Sequence, residues 1–254
     1  MFLHIVSFNI TIETSQIYKI TMSKDIQEVM SELDKWVSRH GNGQYLHSYN
    51  QLKVSIVSPI EETIGQIFEE PGIQQVREEI KEFASVILSK GLANCVLEVG
   101  LGRFASTHFL WRQIFNKVVT IEQYFERVRD FGRRMKEYYG EWVIDDGKSF
   151  FIDGSSHDPK VVMYTYKILQ DGIDVLFLDG DHTYQGVLAD WLLYNPLVKP
   201  GGIVAFHDSV LPWSTDVPLF LKQLETGKLD GKKREFQHIM KSNICGIGYY
   251  TQGE

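Results

Sequence analysis

Residues 96–107 read Val-Leu-Glu-Val-Gly-Leu-Gly-Arg-Phe-Ala-Ser-Thr, an apolar run that holds the acid Glu98, then a glycine loop, then a helix start. Such a strand–loop–helix turn commits a chain to a βα unit. Gly100 and Gly102 let backbone amides approach a ligand more closely than any Cβ would permit, and the unsatisfied amides of the following helix point the same way. Twenty residues past Gly102 stands Glu122, closing the next apolar run, Val118–Ile121. An acid at that offset is the usual acceptor for ribose hydroxyls in a βαβ nucleotide unit. The segment therefore points to a nucleotide-like cofactor. Gly100-x-Gly102-x-x-Ala105 also satisfies the dinucleotide pattern of NAD enzymes, so spacing alone leaves both cofactors open.

The rest of the chain alternates. Residues 23–38 form an amphipathic stretch, and 74–89 have helical spacing with Val76, Ile80, Phe83, Val86 and Ile87 on one side. Strands are expected at 95–99, 118–122, 149–152, 175–178 and 203–206, with helices from about 106, over 124–139, 161–169 and 184–194, and then 217–224. Near-continuous apolar strands in this alternation predict a parallel sheet covered on both faces. The ending differs, because Phe236–Met240 and Ile247–Tyr250 flank a short turn as an antiparallel pair should. The expected fold is α/β: a Rossmann-like, doubly wound, mostly parallel seven-stranded sheet closed by a C-terminal antiparallel hairpin. Residues 1–60 are read as an N-terminal extension or cap and 61–254 as the main domain.

Composition narrows the function classes. With 43% hydrophobic and 23% charged residues, the 254-residue chain resembles an ordinary soluble enzyme. Its net charge of -7 gives no basic footprint for nucleic acid. The apolar first ten residues lack a basic flank and no run approaches a bilayer span, so neither a signal peptide nor a membrane partner is expected. Cys95 and Cys245 form no disulfide framework and have no ligand spacing, and both read as free thiols in a reducing cytoplasm.

A second block of polar residues follows the fourth and fifth strands: Asp179, Asp181, His182, His207 and Asp208. Open α/β sheets place ligands beyond the carboxyl ends of their strands, so these side chains should converge on one rim. Two carboxylates about 4 Å apart repel by roughly 4 kcal/mol at an effective dielectric of 20, so a cation or raised pKa values should accompany them. Oxygen ligands suit Mg²⁺, Mn²⁺ or Ca²⁺, and the nitrogen of His207 tilts the choice toward Mn²⁺ or another transition ion. Asp181 reads as the N-cap of the helix at 184, and Asn195-Pro196 as its structural end.

With both blocks in this order, residues 75–251 resemble the class I S-adenosylmethionine-dependent methyltransferases. The likeness is to the metal-dependent O-methyltransferases that include the catechol, caffeoyl-CoA and macrolide-sugar enzymes and the cephalosporin-hydroxylase-like group. The resemblance implies S-adenosylmethionine as cofactor, with Glu98, Gly100, Gly102, Glu122 and Asp179 around it. Ile152–Asp158 resembles the family's glycine-acid-serine turn, with Ser155 where the acid usually stands, so either Asp153 or Ser155 reaches the adenine. By the same resemblance Asp179, His207 and Asp208 occupy the metal-ligand positions, although the family more often has two oxygen donors at the last two. His182 stands where the family has its base. Phe104 occupies a loop position where a small residue is common.

The resulting expectation is a divalent-metal-assisted O-methyltransferase acting on a hydroxyl of a small molecule: a sugar, polyketide or phenolic metabolite. The alternatives are an NAD-dependent oxidoreductase and a non-catalytic cofactor-binding partner of the same fold. Self-association is left open. Acceptor choice is expected to rest on Tyr45, His47, Tyr49 and the loop 210–216 with Trp213.

Overall fold

The computed structural model describes residues 24–47, 71–102, 104–123, 147–210 and 216–253. The helix expected over 124–139, residues 1–21, Tyr49 and Trp213 lie outside these. The strands are β1 (Cys95–Val99), β2 (Lys117–Glu122), β3 (Ser149–Asp153), β4 (Ile173–Leu178), β5 (Val198–His207), β6 (Gln237–Ile239) and β7 (Ile247–Thr251). They form one seven-stranded sheet in the order β3-β2-β1-β4-β5-β7-β6. The first five run parallel, and β7 pairs antiparallel with both β5 and β6. A dinucleotide-binding sheet continues with a parallel sixth strand; here the antiparallel β7 takes that place.

Register aligns the carboxyl ends. Val99 lies between Ile121 and Leu178, Glu122 opposite Asp153, and Leu178 opposite Phe206. Strand order reverses between β1 and β4, so the crevice that ligands favour opens beside Gly100 and Asp179.

Among the described residues six helices cover the sheet: α1 (Ile26–Val37), α2 (Arg77–Ser89), α3 (Ser106–Ile114), α4 (Pro159–Ile168), α5 (Tyr184–Tyr194) and α6 (Asp216–Glu225). On one face α1, α2 and α3 bury Trp36, Phe83, Phe109 and Trp111 against Val96, Phe177 and Ala205. On the other, α4, α5 and α6 bury Trp191, Tyr194 and Phe220 against Leu97, Leu176 and Phe206. Helix α1 shares the first core: the Trp36 ring stacks on Phe109 at 4.6 Å, and its Nε1 donates to Ser106 Oγ at 3.0 Å. Arg77 reaches back to Asp34 with bonds of 2.9 and 2.7 Å. Among the described residues no helix is long and apolar enough to cross a membrane.

Two local expectations are corrected. Strand β5 begins at Val198 instead of Ile203, because Gly201, at φ 80°, bends within the strand and keeps its pairing with Gln252. The N-cap of α5 is Thr183, whose side chain accepts from the Gly186 amide at 3.1 Å. Asp181 instead accepts from the Thr183 amide at 2.9 Å, a turn that precedes the helix. Asn195-Pro196 is structural as expected, since a 3-10 turn spans Asn195–Leu197 and Tyr250 donates to Asn195 Oδ1 at 2.7 Å.

Candidate active site

A cavity of about 230 Å³ opens at the carboxyl ends of β1, β2 and β4. Six expected site residues line it: Gly100, Gly102, Glu122, Ser155, Asp179 and His182. Gly100, at φ 93°, has an unexpected neighbour. A Cβ there would lie 2.1 Å from the Asp179 carbonyl oxygen, so the missing side chain first serves the approach of β4 to β1. At Gly102, φ 65°, a Cβ would meet no atom within 4 Å, and the backbone faces open space. Glu122 holds this loop, accepting from the Leu101 amide at 3.0 Å. Phe104 points away: it is buried, its carbonyl accepts from Trp36 Nε1 at 3.2 Å, and its ring stacks on His40.

Asp153 ends β3 as an exposed residue and is not among the cavity-lining residues. Ser156 and His157 are, and neither was anticipated. His157 Nε2 lies 3.0 Å from Oδ1 of the buried Asp190, whose carboxyl is pushed up by burial. Tyr194 donates to the Ser156 carbonyl at 2.6 Å, fixing this wall from below. The signal was a lone histidine in a polar turn, which sequence pattern does not distinguish from a surface residue.

The rim beyond β4 and β5 is a cluster of two carboxylates and two imidazoles. His182 Nε2 is 3.3 Å from Asp179 Oδ1, and its Nδ1 is 3.0 Å from Asp208 Oδ2. His207 Nδ1 is 3.0 Å from Asp179 Oδ1 and 3.4 Å from Asp208 Oδ1. Gln75 donates to Asp179 Oδ2 at 3.1 Å. Asp208 adopts φ 57°, a left-handed conformation that a non-glycine residue holds at a cost, and its two oxygens face different imidazoles. Burial alone would raise the Asp179 carboxyl, but His207 and His182 outweigh it and hold it well below the usual carboxylate range. Burial would lower His182, yet Asp208 and Asp179 raise it to about 9. Burial likewise opposes the cationic form of His207, and the same two carboxylates raise it well above the ordinary histidine value. Without a bound ion the two imidazolium groups balance the carboxylates, and a base at His182 must first lose its proton.

Glu98 is placed elsewhere. It is fully buried behind the cavity wall, where Trp111 Nε1 donates to Oε1 at 3.0 Å and Thr120 Oγ1 to Oε2 at 2.7 Å. His108 continues the chain of bonds, 2.8 Å from Thr120 Oγ1 and 2.9 Å from Ser149 Oγ. Burial pushes the Glu98 carboxyl up to about 8 despite these donors. Tyr45 is also engaged away from the cavity, donating to Asp34 at 2.7 Å, and His47 is exposed.

Residues 98–209 match a family model described as a methyltransferase domain. The match covers that stretch, less than half of the chain. The chain has the class I methyltransferase fold, α/β with a seven-stranded mixed sheet, and solved structures share it at low identity. The TDP-rhamnose 3'-O-methyltransferase CalS11 of calicheamicin biosynthesis matches at TM-score 0.53 and 13% identity, over 83% of this chain and 98% of its own. A Staphylococcus aureus protein assigned as a caffeoyl-CoA O-methyltransferase matches at TM-score 0.51 and 16% identity, over 80% of this chain and 100% of its own. A short stretch of 40 residues is 52% identical to an uncharacterized protein of Acanthamoeba polyphaga mimivirus, spanning 16% of this chain and 18% of that protein. The methyltransferase domain match begins at Glu98 and ends at Ser209, so it contains β1 through β5 and the rim cluster.

Proposed function

We propose that this protein transfers the methyl group of S-adenosylmethionine to a hydroxyl of a small molecule, a sugar, polyketide or phenolic metabolite, with the help of a divalent cation. The observation that carries the reading is that Asp179 belongs at once to the cavity wall and to the cluster of titratable groups. A cofactor cavity and a proton-handling, cation-holding cluster therefore meet at Asp179, and His182 likewise belongs to both. CalS11, named for a sugar hydroxyl acceptor, is among the fold relatives and supports this substrate class.

The residues suit both groups. The wall offers an open glycine backbone at Gly102 and a carboxylate at Glu122, with Ser155 and His157 farther along. Asp179 and Asp208 each present a carboxylate oxygen within 4.8 Å of the other and of a His182 nitrogen, two hard donors that fit Mg²⁺ or Mn²⁺ beside the base. When bound, S-adenosylmethionine supplies an electrophilic methyl group, and the cation supplies positive charge beside the acceptor oxygen. Glu122 accepts from the ribose hydroxyls while its bond to Leu101 keeps the loop in place. Ser155 and His157 face the base. Asp179 and Asp208 hold the cation. His182, once neutral, takes the hydroxyl proton at Nε2, the nitrogen on the Asp179 side. Positioning of donor and acceptor supplies much of the remaining acceleration.

The test is formation of S-adenosylhomocysteine by chelator-stripped protein with a panel of hydroxylated acceptors, with and without Mg²⁺ or Mn²⁺. Turnover should require the cation. His182→Ala should lower kcat by roughly 10² to 10⁴ while calorimetric S-adenosylhomocysteine affinity stays intact. Normal turnover by that variant would move the proton role elsewhere, and full activity in EDTA would remove the cation. Binding of NADH with no binding of S-adenosylhomocysteine would overturn the reading.

A further inference from the structure

We propose that His207, Asp208 and Cys245 form a second cation site on the inner side of the rim, containing a thiolate and selective for a zinc-type first-row ion over Mg²⁺. It does not depend on methyl transfer, and would stand if the cavity bound a different nucleotide.

The three side chains come from the end of β5 and from the turn between β6 and β7, and each offers a ligand atom within 4.8 Å of the others. All three are buried. Tetrahedral zinc bonds of about 2.0–2.3 Å place ligand atoms about 3.3–3.8 Å apart, so atoms already within 4.8 Å of one another need a contraction of at most about 1.5 Å to fill three of the four positions.

His207 supplies the independent sign. Its Nδ1 is engaged by Asp179 at 3.0 Å, while Nε2 is buried with no hydrogen-bond partner among the described residues. A ligating imidazole characteristically gives its other N–H to a carboxylate, which fixes the tautomer and directs the remaining lone pair at the ion. Asp179 stands in that relation to His207. Asp208 Oδ2 lies 3.0 Å from His182 on the cavity side, and Oδ1 lies 3.4 Å from His207 Nδ1, the nitrogen that Asp179 also engages, so Oδ1 must turn toward Nε2 when the ion binds.

Cys245 is held in place by its turn. The buried Glu79 on α2 accepts from the amides of Lys241 at 2.8 Å, Ser242 at 2.9 Å and Gly246 at 3.0 Å. The Val210 amide donates to the Cys245 carbonyl at 2.6 Å, tying the turn to the end of β5. Charge also balances. A dication with one carboxylate, one thiolate and a neutral imidazole is net neutral, which suits a site shielded from water. Binding forms a metal–sulfur bond and breaks the Cys245 S–H bond, and the proton leaves to buffer with no change of oxidation state. Sulfur ligation disfavours the hard ions Mg²⁺ and Ca²⁺.

The experiment is a Co²⁺ titration of the metal-stripped full chain, followed by absorption. The expected result is a saturable near-ultraviolet thiolate-to-cobalt band that Zn²⁺ abolishes and excess Mg²⁺ leaves unchanged. Cys245→Ala should lose the band and Cys95→Ala should keep it, while His207→Ala should weaken Co²⁺ binding at least tenfold. A wild-type spectrum without the band, a band that survives in Cys245→Ala, or displacement by Mg²⁺ would overturn the proposal. The wild-type spectrum and its displacement decide the matter even where a substituted chain does not fold.

Discussion

Glu98 keeps its proton near neutral pH because burial raises its carboxyl from 4.5 to about 8. A folded-state value above the unfolded one means that the native chain binds the proton more tightly. The stability contributed by this group is therefore fully present below about 4.5 and is lost as pH rises toward 8. Glu98→Gln keeps a neutral side chain in the same space, so urea midpoints of the two proteins should diverge with pH. The wild type should lose ground to the variant between pH 5 and 8; a constant difference would contradict the buried neutral acid. Glu122→Ala should weaken S-adenosylhomocysteine binding by about 1.5–3 kcal/mol, the scale of a lost charged hydrogen bond, and unchanged calorimetric affinity would remove its ribose role. The two acids show what was legible at this scale. Both end or nearly end a buried strand, yet β1 is buried on both faces, so its sequence carries no signal for which way Glu98 points.

At the scale of elements, the glycine loop is a joint between strands as much as a cradle. Gly100→Ala would set a Cβ 2.1 Å from the Asp179 carbonyl and place a side chain at φ 93°. Backbone strain of that kind costs about 1–3 kcal/mol before the clash is relieved, so urea unfolding should register at least that loss. Gly102→Ala meets no neighbouring atom within 4 Å and should cost less stability, leaving the strain of its own φ. Equal losses would show that the approach of β4 does not govern Gly100. Most element boundaries were legible from apolar periodicity and breakers. The exceptions, Thr183 as N-cap and the early start of β5, arise where a polar turn or a bent strand is chosen by its neighbours: Asp181 packs where a Gly186 Cβ would lie, and Gly201 pairs with Gln252.

Across the whole molecule, α1 and the sheet share one core, with Trp36 packed between α2, α3 and the loop after β1. Trp36→Ala should cost about 3–5 kcal/mol and leave a single cooperative transition followed by circular dichroism. A separate early transition would make α1 an independently docked piece. The sequence by itself determined the alternation of strands and helices, the parallel sheet with its antiparallel ending, and the rim on which the polar residues gather. Those properties follow from apolar period and chain order, which are local. Only the tertiary structure decided which side chains meet: Gln75 reaching Asp179 across 104 positions, His182 seated between Asp179 and Asp208, and Cys245 brought beside His207 and Asp208. Such pairings depend on strand register and on the packing of turns such as the one Glu79 holds, and those are settled by long-range contacts that no local pattern encodes.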